Sequence, residues 1–174
     1  MTVRLSIFFY KGYEIIPRPF GEMKIMLYLR GMNILNFLFG IPTVRINSLT
    51  SKLDMSTIKK IVYMSLTWCE DNMSRKGHKK PPYKISIRKQ TYGEPCYGQY
   101  DEDTNTIYIF YNNCGNVELL IRTVLHEYTH YLQPIEGKYH KLLKKHGYDK
   151  HPQEVEARKM EEYYLNVWKY IKSN

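Results

Sequence analysis

Two of the six histidines in this 174-residue chain stand four apart with a glutamate beside the first, in L-H-E-Y-T-H-Y-L-Q from Leu125. On an α-helix, residues four apart lie one turn apart on one face, so His126 and His130 can turn both imidazoles toward a single ion, the spacing that zinc sites use on helices. Glu127, next to the first histidine, is poorly placed to ligate with the pair. It is well placed to take a proton from a water that the ion activates. The bland alternative is a solvated histidine pair on the outside of an ordinary amphipathic helix. Against it stands the surrounding pattern, which puts the motif mid-helix in an apolar-periodic segment preceded by a strand.

Two ligands do not make a zinc site, so a third must come from elsewhere in the chain. The extended motif H-E-x-x-H-x-x-G-x-x-H would need Gly at 133 and His at 136. Gln133 and Glu136 stand there instead, and the downstream candidates are His140, His146, His151, Glu154 and Glu156. A ligand on a second helix packed closely on the first wants a small residue on its own face. Ala157 follows Glu154 by three, whereas Glu156 points about 200° away from Glu154 at about 100° per residue. Glu154 is therefore the expected third ligand and Glu156 the fallback, with ordinary surface carboxylates as the bland reading.

Holding these residues in place requires elements that periodicity and chain breakers locate. From Asp54 onward Ile58, Ile61, Val62, Ser65, Leu66, Cys69 and Met73 recur at three and four, with Asp54 or Ser56 as cap, which predicts a helix over 54–74. The turn formers and charges from Ser74 end it. Tyr83, Ile85 and Ile87 alternate with Lys84, Ser86 and Arg88, a strand with one wet face. Thr91 to Gly98 reads as loop, Asp101 to Asn105 as a turn and Thr106 to Tyr111 as a second strand. Asn116 caps the helix that carries the motif, Val117 to Gln133, and Pro134 stops it. A third helix is predicted over 138–146 with Gly147 behind it, and a fourth from Pro152 to Ile171 with the proline in its first turn. This order makes a small α+β domain over 51–174. Residues 1–50, broken by Pro17, Pro19, Gly21, Gly31, Gly40 and Pro42, read as an N-terminal extension.

Composition sets the remaining bounds. Lys plus Arg number 26 against 17 Asp plus Glu, a net charge of +9 that attracts anionic partners. No zinc finger, phosphate loop or basic heptad accompanies that charge, so specific nucleic-acid binding is not expected. Cys69, Cys96 and Cys114 are odd in number and widely spaced. They read as reduced thiols, small buried hydrophobes in a reducing cytoplasm or a virion. The most apolar stretch, Lys24 to Pro42, is interrupted by Arg30, Asn33 and Asn36, so no transmembrane span is expected. It also lies too far in for a secretory signal. The extension is expected to pack on the domain, cover its cleft as a prosegment or attach the chain to a partner protein.

H-E-Y-T-H at 126–130, followed after a spacer by P-Q-E-V-E-A from Pro152, resembles the gluzincin metallopeptidases, in particular the minimal single-domain minigluzincins. The likeness spans roughly residues 54–168 and extends to phage and virus proteins of this type. It implies a zincin-like fold: a helix, a short twisted sheet with an edge strand above the cleft, the H-E-x-x-H helix and a later helix bearing a glutamate ligand. It further implies Zn2+ on His126, His130 and Glu154, with Glu127 as general base and acid. One position departs. Many gluzincins place an aspartate four residues after the ligand glutamate, where it orients a zinc-bound histidine, and this chain has Arg158 there. A backbone carbonyl or some other group must then hold His126 or His130.

The expected activity is zinc-dependent hydrolysis of peptide bonds in a peptide or protein substrate, docked as an extended strand on the edge of Thr106 to Tyr111. Two alternatives stand beside it. One is a SprT-like, DNA-associated protease with His146 or His151 as third ligand. The other is an inactive zincin-fold interaction protein, virion-associated and attached through residues 1–50.

Overall fold

The computed structural model describes residues 44–73, 81–91, 93–134 and 139–174, all within the unit Met32–Asn174. The apolar stretch Lys24 to Pro42 and most of the extension lie outside the described residues.

Helix α1, Met55–Asn72, starts where its cap predicts. The Asp54 carboxylate accepts from the Ser56 hydroxyl at 2.6 Å, the Thr57 amide at 2.9 Å and the Thr57 hydroxyl at 2.8 Å. These bonds, Ser56 first, hold its carboxyl at about 2. Spacing at three and four then buries Ile58, Ile61, Val62, Leu66 and Cys69 on one face.

Three strands form a mixed sheet in the order β1-β3-β2. Strand β1, Lys84–Arg88, runs parallel to β3, Thr106–Phe110, with Lys84 opposite Thr106. Strand β2, Gly98–Asp101, runs antiparallel along the other side of β3, with Tyr100 opposite Ile107. Ile107 and Ile109 of β3 are fully buried under the helices. Central β3 is thus paired on both sides, which overturns substrate docking on the Thr106 to Tyr111 edge. The strand beside the helices' polar residues is β2, which reads in the sequence as the tail of a loop because it has four residues and one large apolar side chain. The predicted turn joins β2 to β3: the Asp101 carboxylate accepts from the Asp103 and Thr104 amides, and Asn105 takes a φ of 49°.

Helix α2, Val117–Leu132, crosses the sheet and α1. Its first amides are all satisfied: Leu119 N–H donates to the Asn116 side chain at 2.9 Å, Val117 to the Ser48 carbonyl at 3.0 Å and Glu118 to the Ile46 carbonyl at 2.9 Å. Residues 44–50 therefore cap the motif helix. Helix α3, Tyr139–His146, ends at Gly147, whose φ of 70° only glycine adopts freely. Helix α4, Pro152–Met160, opens with proline in its first turn and His151 as cap. The single fourth helix expected through Ile171 is interrupted: Glu161–Tyr163 tighten to a 3-10 turn before α5, Tyr164–Ser173.

The chain is an α+β domain whose core joins α1, α2, α5 and the inner face of the sheet. Cys69 and Cys114 are buried as expected, whereas Cys96 is only half-buried; all three are free thiols. Among the described residues, no helix is long and apolar enough to cross a membrane.

Candidate metal centre

The 3.6-residue period of α2 brings His126 and His130 onto one face, with ring centroids 4.8 Å apart and planes at 73°. Their Nε2 atoms face each other at 3.1 Å. Across from them, Ala157 of α4 is fully buried, and its lack of bulk lets α4 lie close to α2. Glu154, one turn before Ala157, reaches into the gap: its Oε2 lies 3.4 Å from His126 Nε2 and its Oε1 3.5 Å from His130 Nε2. Together the three residues form a cluster that could hold a metal ion. Ligand atoms about 2.0–2.1 Å from a tetrahedral zinc stand about 3.3–3.4 Å from one another, since a tetrahedron's edge is about 1.63 times its centre-to-vertex distance. The two Nε2 atoms, 3.1 Å apart, lie near that edge, and the Glu154 carboxylate faces them with a different oxygen toward each, at 3.4 and 3.5 Å.

The far sides of both rings are also committed. His126 Nδ1 lies 2.8 Å from Glu161 Oε1, and His130 Nδ1 lies 2.8 Å from the side-chain oxygen of Gln133. Gln133, buried at the end of α2, is itself fixed because its amide nitrogen donates to the Gln153 carbonyl at 2.9 Å and to Glu156 at 3.0 Å. An acceptor at each Nδ1 keeps the proton there and leaves the Nε2 lone pairs pointing into the cluster, the arrangement that ligating histidines require.

Electrostatics follow from this crowding. Burial would lower the His126 pKa, but hydrogen bonds to Glu154 and Glu161 override it and lift the imidazole to about 9. His130 is raised for the same reason, burial being outweighed first by Glu154 and then by Glu127. Burial would raise the Glu154 carboxyl, yet the two histidines, with a further hydrogen bond from Tyr148, hold it well below the usual carboxylate range. The carboxylates make the histidine pair bind protons tightly, and a cation would compete for the same lone pairs.

Glu127 points to the other side of the helix crest, toward β2. Its carboxyl is pushed up chiefly by burial, against the pull of the two histidines and of a hydrogen bond from the Tyr100 amide. Strand register explains that bond. Phe110 N–H donates to the Tyr97 carbonyl at 2.9 Å, so in the antiparallel ladder Gly98 and Tyr100 turn their peptide groups away from β3. Gly98 is required by the approach: a Cβ there would sit 2.7 Å from Glu127 Cγ and 2.8 Å from Thr123 Cγ2.

Of the residues singled out from the sequence, the fold gathers His126, His130 and Glu154 and sets Glu127 beside them. The fallback Glu156 is exposed and bonded to Gln133, and His151 is the buried cap of α4, its Nδ1 accepting from the Gln153 amide. His146 is half-buried outside the cluster, and the His140 side chain lies outside the described part. Arg158, at the departing position, donates to the Asp149 carbonyl. Sequence reasoning missed Glu161, Gln133 and Gly98. Gln133 and Glu161 carried a signal, since one lies three residues after His130 and the other two turns after Glu154.

Residues 83–173, a little over half of the chain, match a family described as protein of unknown function (DUF3920). The matched stretch runs from β1 to the end of α5 and so contains the whole cluster. No curated protein and no solved structure matches the chain.

Proposed function

We propose that this chain, which belongs to the DUF3920 family, is a zinc-dependent metallopeptidase of the gluzincin kind. One observation carries the reading: both histidines have their Nδ1 atoms occupied by fixed acceptors, while both Nε2 atoms and the Glu154 carboxylate converge on one spot, with one ligand atom from each residue within 4.8 Å of the others. His126, His130 and Glu154 would hold the ion. Zinc in such a site polarises a carbonyl oxygen and lowers the pKa of a water toward ~7.

The remaining chemistry belongs to the chain's own groups. Glu127, its carboxyl raised by burial, takes the proton of the attacking water and delivers it to the leaving amine nitrogen. The Tyr100 amide holds that carboxylate on the β2 side of α2. Gly98, with no side chain, leaves room for it.

The experiment is elemental analysis of zinc in wild type, Glu154→Ala and Glu127→Gln, each followed by casein cleavage. The expected outcome is about one zinc per chain, lost in Glu154→Ala and kept in a Glu127→Gln variant that no longer cleaves. A wild type that purifies and reconstitutes without zinc would sink the reading.

A further inference from the structure

We infer that Glu161 is a positioning residue of the metal centre, delivered to His126 by a 3-10 turn that Arg122 grips. The assignment rests on the metal-binding reading of His126, His130 and Glu154.

Glu154 and Glu161 are seven residues apart, two turns of nearly continuous helix, and so return to the same face. His126 is thereby held between two carboxylates, Glu154 on its Nε2 side at 3.4 Å and Glu161 on its Nδ1 side at 2.8 Å. The chain changes pitch at Glu161 itself, where α4 gives way to the 3-10 turn. That turn is pinned from α2 by Arg122, which lies one turn before His126. The Arg122 Nη1 donates to the Glu161 carbonyl at 3.3 Å, and its guanidinium stacks over the Tyr164 ring at 3.9 Å. Glu118 fixes the same arginine by accepting from its Nε at 2.9 Å. Main chain and side chain of Glu161 are thus both tied to α2, four residues apart along it, which leaves the carboxylate little freedom to leave the imidazole.

The two histidines differ in what stands behind them. His130 has the neutral amide oxygen of Gln133, whereas His126 has a carboxylate, the stronger acceptor and the one that makes an imidazole a better donor to a cation. Arg158, four residues after Glu154, faces the Asp149 carbonyl and takes no part. Glu161, one turn further on, fills the role that position leaves open.

The test uses the full chain and two readouts. Zn2+ affinity is measured by competition with a chromophoric chelator. In the metal-free protein, the hydrogen-bonded Nδ1 proton of His126 is followed by NMR as a downfield resonance protected from solvent exchange. Glu161→Ala is expected to lose that resonance and to weaken Zn2+ binding about 10-fold to 100-fold. Glu161→Gln, which keeps an acceptor of the same shape, is expected to retain the protected proton and fall between wild type and Glu161→Ala in affinity. The His130 resonance stays in place in both. Unchanged Zn2+ affinity together with an unchanged His126 resonance in Glu161→Ala would overturn the assignment. A wild type that binds no Zn2+ would defeat the peptidase reading, while the resonance in the metal-free protein would still decide what Glu161 does.

Discussion

Helices α2 and α4 both supply side chains to the cluster, but they are held by different forces. In α2, ten of sixteen residues are buried, among them Leu120, Ile121, Val124 and Leu125, and both ends are capped. In α4, two of nine are buried, Glu154 and Ala157, while Val155 is half exposed. Burial of apolar area fixes α2 whether or not the cluster is intact. What ties α4 to α2 is largely the polar chemistry of the site: Gln133 on the Gln153 carbonyl, Glu154 between the histidines and Glu161 on His126. A site built from one rigid and one chemically tethered helix would hold an ion with half the geometry prepared and half dependent on the charges being satisfied.

That contrast can be broken most severely from the α2 side. Leu125→Ala removes a fully buried side chain and is expected to cost about 2–5 kcal/mol in urea unfolding, with zinc binding lost only as the fold is lost. A cost under 1 kcal/mol would mean that α2 is not the rigid partner. Ala157→Leu attacks the other helix by forcing bulk between α4 and α2. It is expected to destabilise by about 1–3 kcal/mol and to lower zinc affinity out of proportion to stability, since Glu154 moves away with the helix. Equal zinc affinity in a folded variant would show that Glu154 is not a ligand.

Two smaller effects sharpen the comparison. Gly98→Ala puts a methyl 2.7 Å from Glu127 Cγ, and casein cleavage is expected to fall at least about 10-fold while zinc content stays at the wild-type level, because the base is displaced and the ligands are not. Loss of zinc together with cleavage would tie Glu127 to the ligand geometry instead. Removing zinc by chelation is expected to raise amide exchange in α4 several-fold and leave the middle of α2 unchanged. Equal deprotection of both helices would refute the tethered picture.

Legibility followed the same divide. The caps at Asp54 and Asn116, the stop at Pro134, the proline start of α4 and the class α+β could be read because each depends on residues within a turn or two of one another. Ala157 pointed correctly to the close approach of α4, and that approach is what places Glu154 opposite the histidines. Strand β2 was hidden because a four-residue edge strand has too few positions to show an alternation. The break at Glu161 was hidden because Glu-Glu-Tyr-Tyr suits a helix as well as a 3-10 turn.

By itself, then, the sequence determined that His126 and His130 share a helical face with Glu127 at their side, since a 3.6-residue period is a local property of the backbone. Which groups stand behind those histidines was decided only in three dimensions. Glu161 lies 35 residues from His126 along the chain, and Gly98 lies 29 before the Glu127 it accommodates. Contacts at such separations depend on how whole elements pack, which no local pattern encodes.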